Sequence, residues 1–266
     1  KWTALSYCWG TTATLKTTLD TLEEHKKKIL LGNLPQTIRD AIMITRSLGI
    51  EYLWVDALCI IQDCKNDWAQ ESAMMADVYR NSVVTIAASS GKDSQGSCFL
   101  NRNKLANLPC PINFHPLQQR GWTLQEAQLN IRVLHYTESE LLWQHLITAD
   151  DPVVPRRMFD AFSIVPRNVF SRWYMLVEEF TARRLTFETD KLPAISGMAA
   201  EEDGFPPIVE WPDASTDSIY LAGLWQADLI EGLAWHVVAH QEPGKNAGQY
   251  RAPSWSWAFV SGQVSY

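Results

Sequence analysis

The chain has 266 residues, with 23 Lys and Arg against 30 Asp and Glu, which gives a formal net charge of −7. This acidic balance argues against a nucleic-acid binder, because such proteins usually carry a basic stripe. Hydrophobic residues make up 46% of the sequence and charged residues 20%, as in an ordinary globular protein. No apolar run reaches the roughly 18 residues that a membrane span needs. Because the chain begins at Lys1 and not at Met, we expect it to be a piece of a longer protein.

Strands and helices alternate in the first half of the sequence. The predicted elements are strands at 2–7 and 29–31, a helix from Pro35 to Gly49, a strand at 52–61, a helix from Asp67 to Tyr79 and a strand at 83–88. The run at 52–61 is apolar nearly throughout, which is typical of a strand buried on both faces. This alternation predicts an α/β fold, with a mostly parallel sheet flanked by helices. Open sheets of this kind bind ligands at the carboxyl ends of their strands.

The second half of the sequence adds a hairpin and then a different kind of region. Strands at 131–136 and 140–144 form the additional β-hairpin, and the acidic and Pro-rich stretch from Asp150 to Pro155 is the best candidate boundary. We therefore expect one domain at 1–149 and a mixed helical, Trp-rich region at 150–266. Helices are predicted near 171–184 and 190–201, and a Trp-rich strand at 255–258. The many Trp and Leu residues predict that 150–266 packs on the first domain.

The five cysteines predict a reducing compartment. Their number is odd, their spacing is irregular and two of them lie in apolar runs, which is typical of free thiols. We therefore expect no disulfides and a cytoplasmic protein. His236 and His240 have the i, i+4 spacing of two metal ligands on a helix, but the acid of the metalloprotease motif does not follow His236, so no metal is expected. The five are Cys8, Cys59, Cys64, Cys98 and Cys110.

Glu71 is the most informative residue of the predicted Asp67–Tyr79 helix. It lies three residues after Trp68 and four before Met75, so it shares the apolar stripe of the helix. A carboxylate on that stripe, near the carboxyl edge of the sheet, indicates a functional site. An acidic residue that is simply favoured by the helix dipole explains the same position.

Polar residues also interrupt or end the predicted strands. Asp56 lies inside the apolar run at 52–61, where a carboxylate needs either partners or a chemical role. Ser6, Tyr7 and Trp9 lie where the first strand ends, at the edge where open sheets bind ligands. A structural hydrogen-bond hub at Asp56 and ordinary turn chemistry after the first strand are the alternatives.

A polar and aromatic cluster precedes the hairpin. Arg120, Trp122 and Glu126 lie close together before or within a predicted short helix. They could supply a second wall of a binding site, or Arg120 and Glu126 could form a structural ion pair. The sequence contains neither a Gly-rich phosphate loop nor a nucleophile elbow, so those two mechanisms are not expected.

Three segments carry a family resemblance. They read ALSYCWG at 4–10, LWVDALCIIQD at 53–63 followed by the Asp67–Tyr79 stretch, and RGWTLQE at 120–126. Together they resemble the fungal HET (heterokaryon incompatibility) domain over about residues 1–145. The segments DKLPAISG at 190–197, YLAGLW at 220–225 and RAPSWSW at 251–257 are similar to the region that follows this domain in many such proteins.

The resemblance implies a function. HET domains trigger regulated cell death when incompatible fungal cells fuse, and they are remotely similar to TIR domains, many of which hydrolyse NAD. The stretch Trp68-Ala69-Gln70-Glu71 resembles the TIR signature W-x-x-E, whose Glu is catalytic. The expected fold is therefore TIR-like, with a flavodoxin-like sheet, and the expected activity is cleavage of the nicotinamide–ribose bond.

In this interpretation Glu71 is the catalytic residue, and NAD is a substrate with no separate cofactor. The expected substrate-binding residues are Ser6, Tyr7, Trp9, Asp56, Trp68, Arg120, Trp122 and Glu126. The expected partners are NAD or a related nucleotide and further copies of the chain, without nucleic acid. Two alternatives stay open: a non-catalytic death-signalling module that acts by homotypic assembly, and an enzyme that acts on a different nucleotide.

Overall fold

The structure is a computed structural model that describes residues 1–10, 15–100, 115–145, 169–199, 219–240 and 249–266. The chain forms two compact units, Lys1–Leu146 and Ile147–Tyr266. Cys110 and the candidate boundary at Asp150–Pro155 lie outside the described residues.

The first unit alternates strands and helices. Its elements are β1 (Trp2–Ser6), α1 (Leu22–Lys27), α2 (Gln36–Ser47), β2 (Tyr52–Trp54), α3 (Asp56–Cys59), α4 (Lys65–Arg80), β3 (Thr85–Ala87), α5 (Trp122–Gln128), β4 (Arg132–Tyr136) and β5 (Leu141–His145).

One five-stranded sheet runs through this unit in the order β2-β1-β3-β4-β5. The pairs β1–β2, β1–β3 and β3–β4 are parallel, whereas β4 and β5 form an antiparallel hairpin. The predicted mostly parallel sheet and its additional hairpin are therefore confirmed. In this strand order the chain leaves β1 toward one edge of the sheet and returns past β1 to β3, so a topological switch point lies between β1 and β3.

Helices cover both faces of the sheet because side chains alternate along β1. On one face Leu5 packs with Ile38 and Ile44 of α2. On the other face Ala4 packs with Met75 and Tyr79 of α4. The last residue of β1, Ser6, follows this alternation onto the face covered by α4, which decides its partners at the site.

The predicted strand at 52–61 is wrong beyond Trp54. Val55 is still extended, but α3 then begins at Asp56, whose Oδ1 accepts the backbone N–H of Ala57 at 2.7 Å. A second bond from the N–H of Cys59 to the carbonyl of Val55, at 2.8 Å, closes the helical turn. A short apolar run cannot distinguish strand from buried helix by periodicity, and the Asp carboxylate favours a helix start.

Two further local predictions are also wrong. The stretch predicted as a strand at 29–31 leads into a 3-10 helix, Leu31–Asn33. Helix α4 begins at Lys65, two residues before the expected N-cap. The carboxylate of Asp67 instead accepts the backbone N–H of Ile61 at 2.7 Å, so it fixes the loop before α4.

The helix predicted from Pro35 is confirmed as α2. Its buried positions Ile38, Ala41 and Ile44 recur at helical spacing. Gly49 follows the helix with a φ of +69°, a left-handed conformation that favours glycine after a helix end.

A long loop after β3 is fixed against the amino end of α2. The buried carboxylate of Asp40 accepts hydrogen bonds from Ser97 Oγ at 2.6 Å, the N–H of Cys98 at 2.8 Å and Gln36 Nε2 at 2.6 Å. The same loop meets the segment after β1, because the N–H of Ser94 donates to the carbonyl of Trp9 at 3.3 Å. Asp40 thus helps to fix the loop that contacts residues 7–10, the segment after β1, which we call the β1 loop.

The second unit contains α6 (Val169–Thr181), α7 (Pro193–Ala199), β6 (Tyr220–Leu221), β7 (Leu224–Trp225), α8 (Leu229–Gly232), β8 (His236–His240) and β9 (Gly262–Ser265). The carbonyl of Gly223 accepts the indole N–H groups of Trp173 at 2.9 Å and Trp257 at 2.8 Å. The Trp-rich strand predicted at 255–258 is wrong: Trp257–Phe259 is a 3-10 helix, capped by Ser256 Oγ, which accepts the N–H of Ala258.

Within the described residues, Cys8, Cys59 and Cys64 form no disulfide. None of the helices in that part of the chain is both long and apolar enough to cross a membrane.

We predict that Asp40→Asn lowers the free energy of unfolding by about 1–3 kcal/mol, because an amide NH2 would replace one of the two oxygens that accept three hydrogen bonds. Urea denaturation monitored by circular dichroism measures this change.

Ser47→Ala is the control on the same helix, since Ser47 is exposed and its hydroxyl bonds, among the described residues, only to the carbonyl of Met43 at 2.9 Å. The control should change the unfolding free energy by less than about 0.5 kcal/mol. Equal stability of the two variants would contradict a structural role for the Asp40 carboxylate.

Candidate functional site

The candidate site lies at the carboxyl end of β1, beside the switch point of the sheet. Ser6 ends β1, and Tyr7 to Gly10 form the segment that follows. Asp56 lies just beyond the end of the parallel neighbour β2. The parallel pairing therefore brings residues that are 50 positions apart to one edge of the sheet.

A buried floor is formed by Ser6, Glu126 and Tyr79. The hydroxyl of Ser6 donates a short hydrogen bond to the Glu126 carboxyl group, across 120 residues of sequence. The hydroxyl of Tyr79 donates to the carbonyl of Leu5 at 3.1 Å. Glu126 is only 5% exposed, so it supports the site from below instead of lining its surface.

Arg120 lies just before α5 and connects the floor to the β1 loop. Its Nη1 donates a short hydrogen bond to the carbonyl of Tyr7. Its positive charge also acts on Asp56 and Glu126, lowering the pKa of both carboxyl groups. One guanidinium therefore binds a backbone carbonyl and acts electrostatically on two carboxyl groups.

Asp56 fixes the orientation of Trp9. Its Oδ2 accepts the indole N–H of Trp9 at 2.8 Å. Burial raises the pKa of Asp56, while Arg120 and the hydrogen bond from Trp9 act in the opposite direction. The carboxylate expected inside a strand thus serves as a hydrogen-bond hub at the start of α3.

The pKa of Glu126 lies well above the ordinary value of a Glu side chain. Burial raises the pKa of Glu126 to about 7, and the charge of Asp56 adds to that rise. Arg120 and the hydroxyl of Ser6 lower the pKa but do not cancel the cost of burial. Glu126 therefore changes protonation state near neutral pH.

The side chain of Tyr7 takes the other face of the sheet. It is 2% exposed and packs in the core with α2, while its carbonyl stays at the site. Within the described residues its hydroxyl has no hydrogen-bond partner. Burial raises the pKa of Tyr7 above its ordinary value, so the hydroxyl stays protonated.

Two tryptophans pair above the floor. Trp68 of α4 and Trp122 of α5 pack edge to face, with ring centroids 6.4 Å apart and an interplanar angle of 89°. Both rings remain partly exposed.

Glu71 lies one turn after Trp68 on α4 and is partly exposed. Burial raises the pKa of its carboxyl group, and the charge of Asp67 adds to this rise. Among the described residues it makes no hydrogen bond or ion pair to the Ser6–Glu126–Arg120–Asp56 cluster. Its charge and that of Asp56 both act on the thiol of Cys59, whose burial already raises its pKa.

The structure therefore joins Ser6, the Tyr7 carbonyl, Trp9 and Asp56 to Arg120 and Glu126 through direct hydrogen bonds or charges. Glu126, expected to belong to a second wall of the site, is central to this cluster, whereas Glu71 stands apart on the neighbouring helix. Tyr79 was missed by the sequence reasoning, although its position four residues after Met75 on the stripe of Glu71 was a signal that it faces the sheet. Across the described ranges, no group of three or more His, Cys, Asp or Glu side chains could hold a metal ion.

A parallel sheet with a polar cluster at its switch point defines an α/β domain of the kind that binds ligands at this edge. The family model described as heterokaryon incompatibility protein (HET) matches residues 2–126, and this part of the chain is a HET domain. The resemblance seen in the sequence is thereby confirmed. Searches of curated proteins and of solved structures gave no match. A HET domain implies a role in heterokaryon incompatibility and cell death.

We predict that Glu126 makes the free energy of unfolding depend on pH. Its folded pKa of about 7 lies above the unfolded value of 4.5, so the folded state holds the proton more tightly. This stabilisation is complete below pH 4.5 and is lost as the pH rises to 7, by up to about 3 kcal/mol. Glu126→Gln carries no titrating group, so its stability relative to the wild type should rise between pH 5 and pH 8.

Urea denaturation of both proteins at pH 5, 6, 7 and 8 measures this difference. Glu51→Gln, a carboxyl-to-amide change at an exposed position, serves as the control and should follow the wild type at every pH. Parallel pH profiles for the wild type and Glu126→Gln would contradict a raised pKa at Glu126.

Proposed function

We propose that the HET domain cleaves the nicotinamide–ribose bond of NAD, with Glu71 as the catalytic carboxylate. The observation that carries this proposal is the state of Glu71. It is a partly exposed carboxylate beside the Trp68–Trp122 pair, without a hydrogen bond or ion pair among the described residues. A carboxylate that burial and Asp67 both destabilise gains most when a positive charge develops next to it.

The reaction suits a single carboxylate. When the bond from ribose C1′ to the pyridinium nitrogen breaks, both bonding electrons go to nicotinamide, which leaves as a neutral molecule. The ribose carbon becomes oxocarbenium-like, and a nearby carboxylate stabilises this charge. Water then adds to C1′ and releases a proton to solvent. No strong general acid is required, because the leaving group needs no proton.

The aromatic side chains supply contacts for the two flat rings of the substrate. Trp9, Trp68 and Trp122 are all partly exposed around the carboxyl end of β1. A pyridinium ring over an indole face gains a cation–π interaction, and adenine can stack on a second indole. The partly exposed carboxylate of Asp56 keeps Trp9 in one orientation through the 2.8 Å bond to its indole N–H.

The buried residues have a supporting role in this proposal. Ser6 and Glu126 form the floor, and Arg120 holds the carbonyl of Tyr7, so the β1 loop is preorganised before a ligand binds. Such preorganisation lowers the entropic cost of binding.

The proposal also includes the TIR-like assignment of the fold. The strand order β2-β1-β3 is the flavodoxin-like order, whose ligands bind at the switch point where Ser6 ends β1. Cytoplasmic location, assembly of several copies and packing of 150–266 on the first domain stay predictions.

We predict that Glu71→Gln lowers NAD turnover by at least about 100-fold, because the amide keeps size and hydrogen bonding but cannot stabilise the developing positive charge. The thermal midpoint should change little, since Glu71 makes no structural bond that the structure describes. Nicotinamide release by the purified full chain and cell killing on expression are the two measurements.

Glu51→Gln is the matched control, because it makes the same chemical change before β2, at the opposite edge of the sheet. A folded Glu71→Gln variant that still consumes NAD at the wild-type rate would reject the catalytic role. Concentration-dependent assembly and cell killing without NAD turnover in the wild type would favour the non-catalytic module.

A further inference from the structure

The charged cluster at the end of β1, in which Glu126 is buried and Asp56 and Arg120 are half-buried, contains more acid than base. Asp56 comes from α3, Glu126 from α5 and Arg120 from the segment before α5. Among the described residues, Arg120 and Asp56 are the charged groups that act on Glu126, and the hydroxyls of Tyr79 and Tyr7 are the titratable groups that sense all three charges. Two carboxyl groups therefore share one guanidinium.

Among the described residues, this count leaves one carboxyl group without a balancing charge. Arg120 neutralises a single carboxylate, and a second buried negative charge would be strongly disfavoured in a poorly solvated place. One proton is therefore held by the carboxyl pair below neutral pH, and a further positive charge nearby would favour its release. The hydroxyl of Ser6 and the 5% exposure of Glu126 identify Glu126 as the carboxyl group that is sealed off from water.

The position of Trp122 shows where that positive charge would lie. Trp122 is four residues before Glu126 and so lies on the same face of α5, about 6 Å away along the helix axis. It packs against Trp68, three residues before Glu71. A ring bound on this aromatic pair is therefore within about one helical turn of the carboxyl groups of Glu71 and Glu126.

We propose that the cluster of Asp56, Glu126 and Arg120 makes this site a proton-linked receptor for a cationic ring, so that binding of a pyridinium releases the proton of Glu126. The inference rests on the proposed function for the place of the ring. It adds that the site distinguishes oxidised nicotinamide, which is a cation, from reduced nicotinamide, which is neutral.

Binding of the ring moves one proton, that of Glu126, and no other atom changes its bonds. The O–H bond of Glu126 breaks, the electron pair stays on the carboxylate and the proton passes to the buffer. No bond of the ligand changes during binding. Two positive charges, those of Arg120 and of the pyridinium, then face the two carboxylates of the cluster.

Isothermal titration calorimetry tests the proposal on the full chain with Glu71→Gln, which prevents cleavage during the titration. NAD and NADH are titrated at pH 7 in phosphate and in Tris, whose different ionisation enthalpies reveal any proton released. NAD should release about half a proton per site at pH 7. NADH should release none and should bind roughly tenfold more weakly, since it lacks the ring charge.

Adding Glu126→Gln should abolish the proton release and reduce the ratio of NAD to NADH affinity, whereas adding Glu51→Gln should change neither. Ser6→Ala gives a second route if the Gln variant is unstable. Because the Ser6 hydrogen bond lowers the pKa of Glu126, its removal should move the proton release to higher pH.

The outcomes separate the two proposals. If neither NAD nor NADH binds, the proposed function fails, and the proton-linked site fails with it. If NAD binds without proton release, or with a release that Glu126→Gln leaves unchanged, the present inference is overturned while the proposed function stands.

Discussion

The candidate site of the first unit depends on one half-buried guanidinium. Arg120 donates to the carbonyl of Tyr7 and its charge acts on both Asp56 and Glu126, so it connects β1, α3 and α5. Burying two carboxyl groups beside one another would be costly without a shared positive charge. The end of β1, the start of α3 and the start of α5 therefore have to meet at one place if these groups are to be satisfied.

The β1 loop is fixed from three directions as a result. Arg120 holds the carbonyl of Tyr7, Asp56 holds the indole of Trp9, and Ser94 donates to the carbonyl of Trp9. A further constraint comes from Gly10, whose φ is +78° and where an added Cβ would lie 2.3 Å from Cβ of Asp93. The loop at the switch point is thus set by contacts far away in sequence, which is typical of a preorganised ligand site.

Two carboxyl groups near the aromatic pair differ because of their environments. Glu126 lies in the floor with a pKa of about 7, beside a guanidinium and a serine hydroxyl. Glu71 is partly exposed on α4, with Asp67 as its charged neighbour. Carboxyl groups that differ in this way in burial and in charged neighbours commonly have different roles. We propose that Glu71 meets the developing charge and, as a separate inference, that Glu126 senses the charge of the bound ring.

The sequence by itself determined the α/β alternation, helix α2, the hairpin and the HET resemblance, because these follow from local periodicity and from whole motifs. It also singled out the residues of the cluster, because a charged residue such as Asp56 stands out in an apolar run. Only the tertiary structure decided that the run at 52–61 turns into α3, that Glu126 is the central carboxyl group and that Tyr79 belongs to the floor. Strand pairing and the burial of a charge depend on residues 50 to 120 positions away, and local patterns do not carry that information.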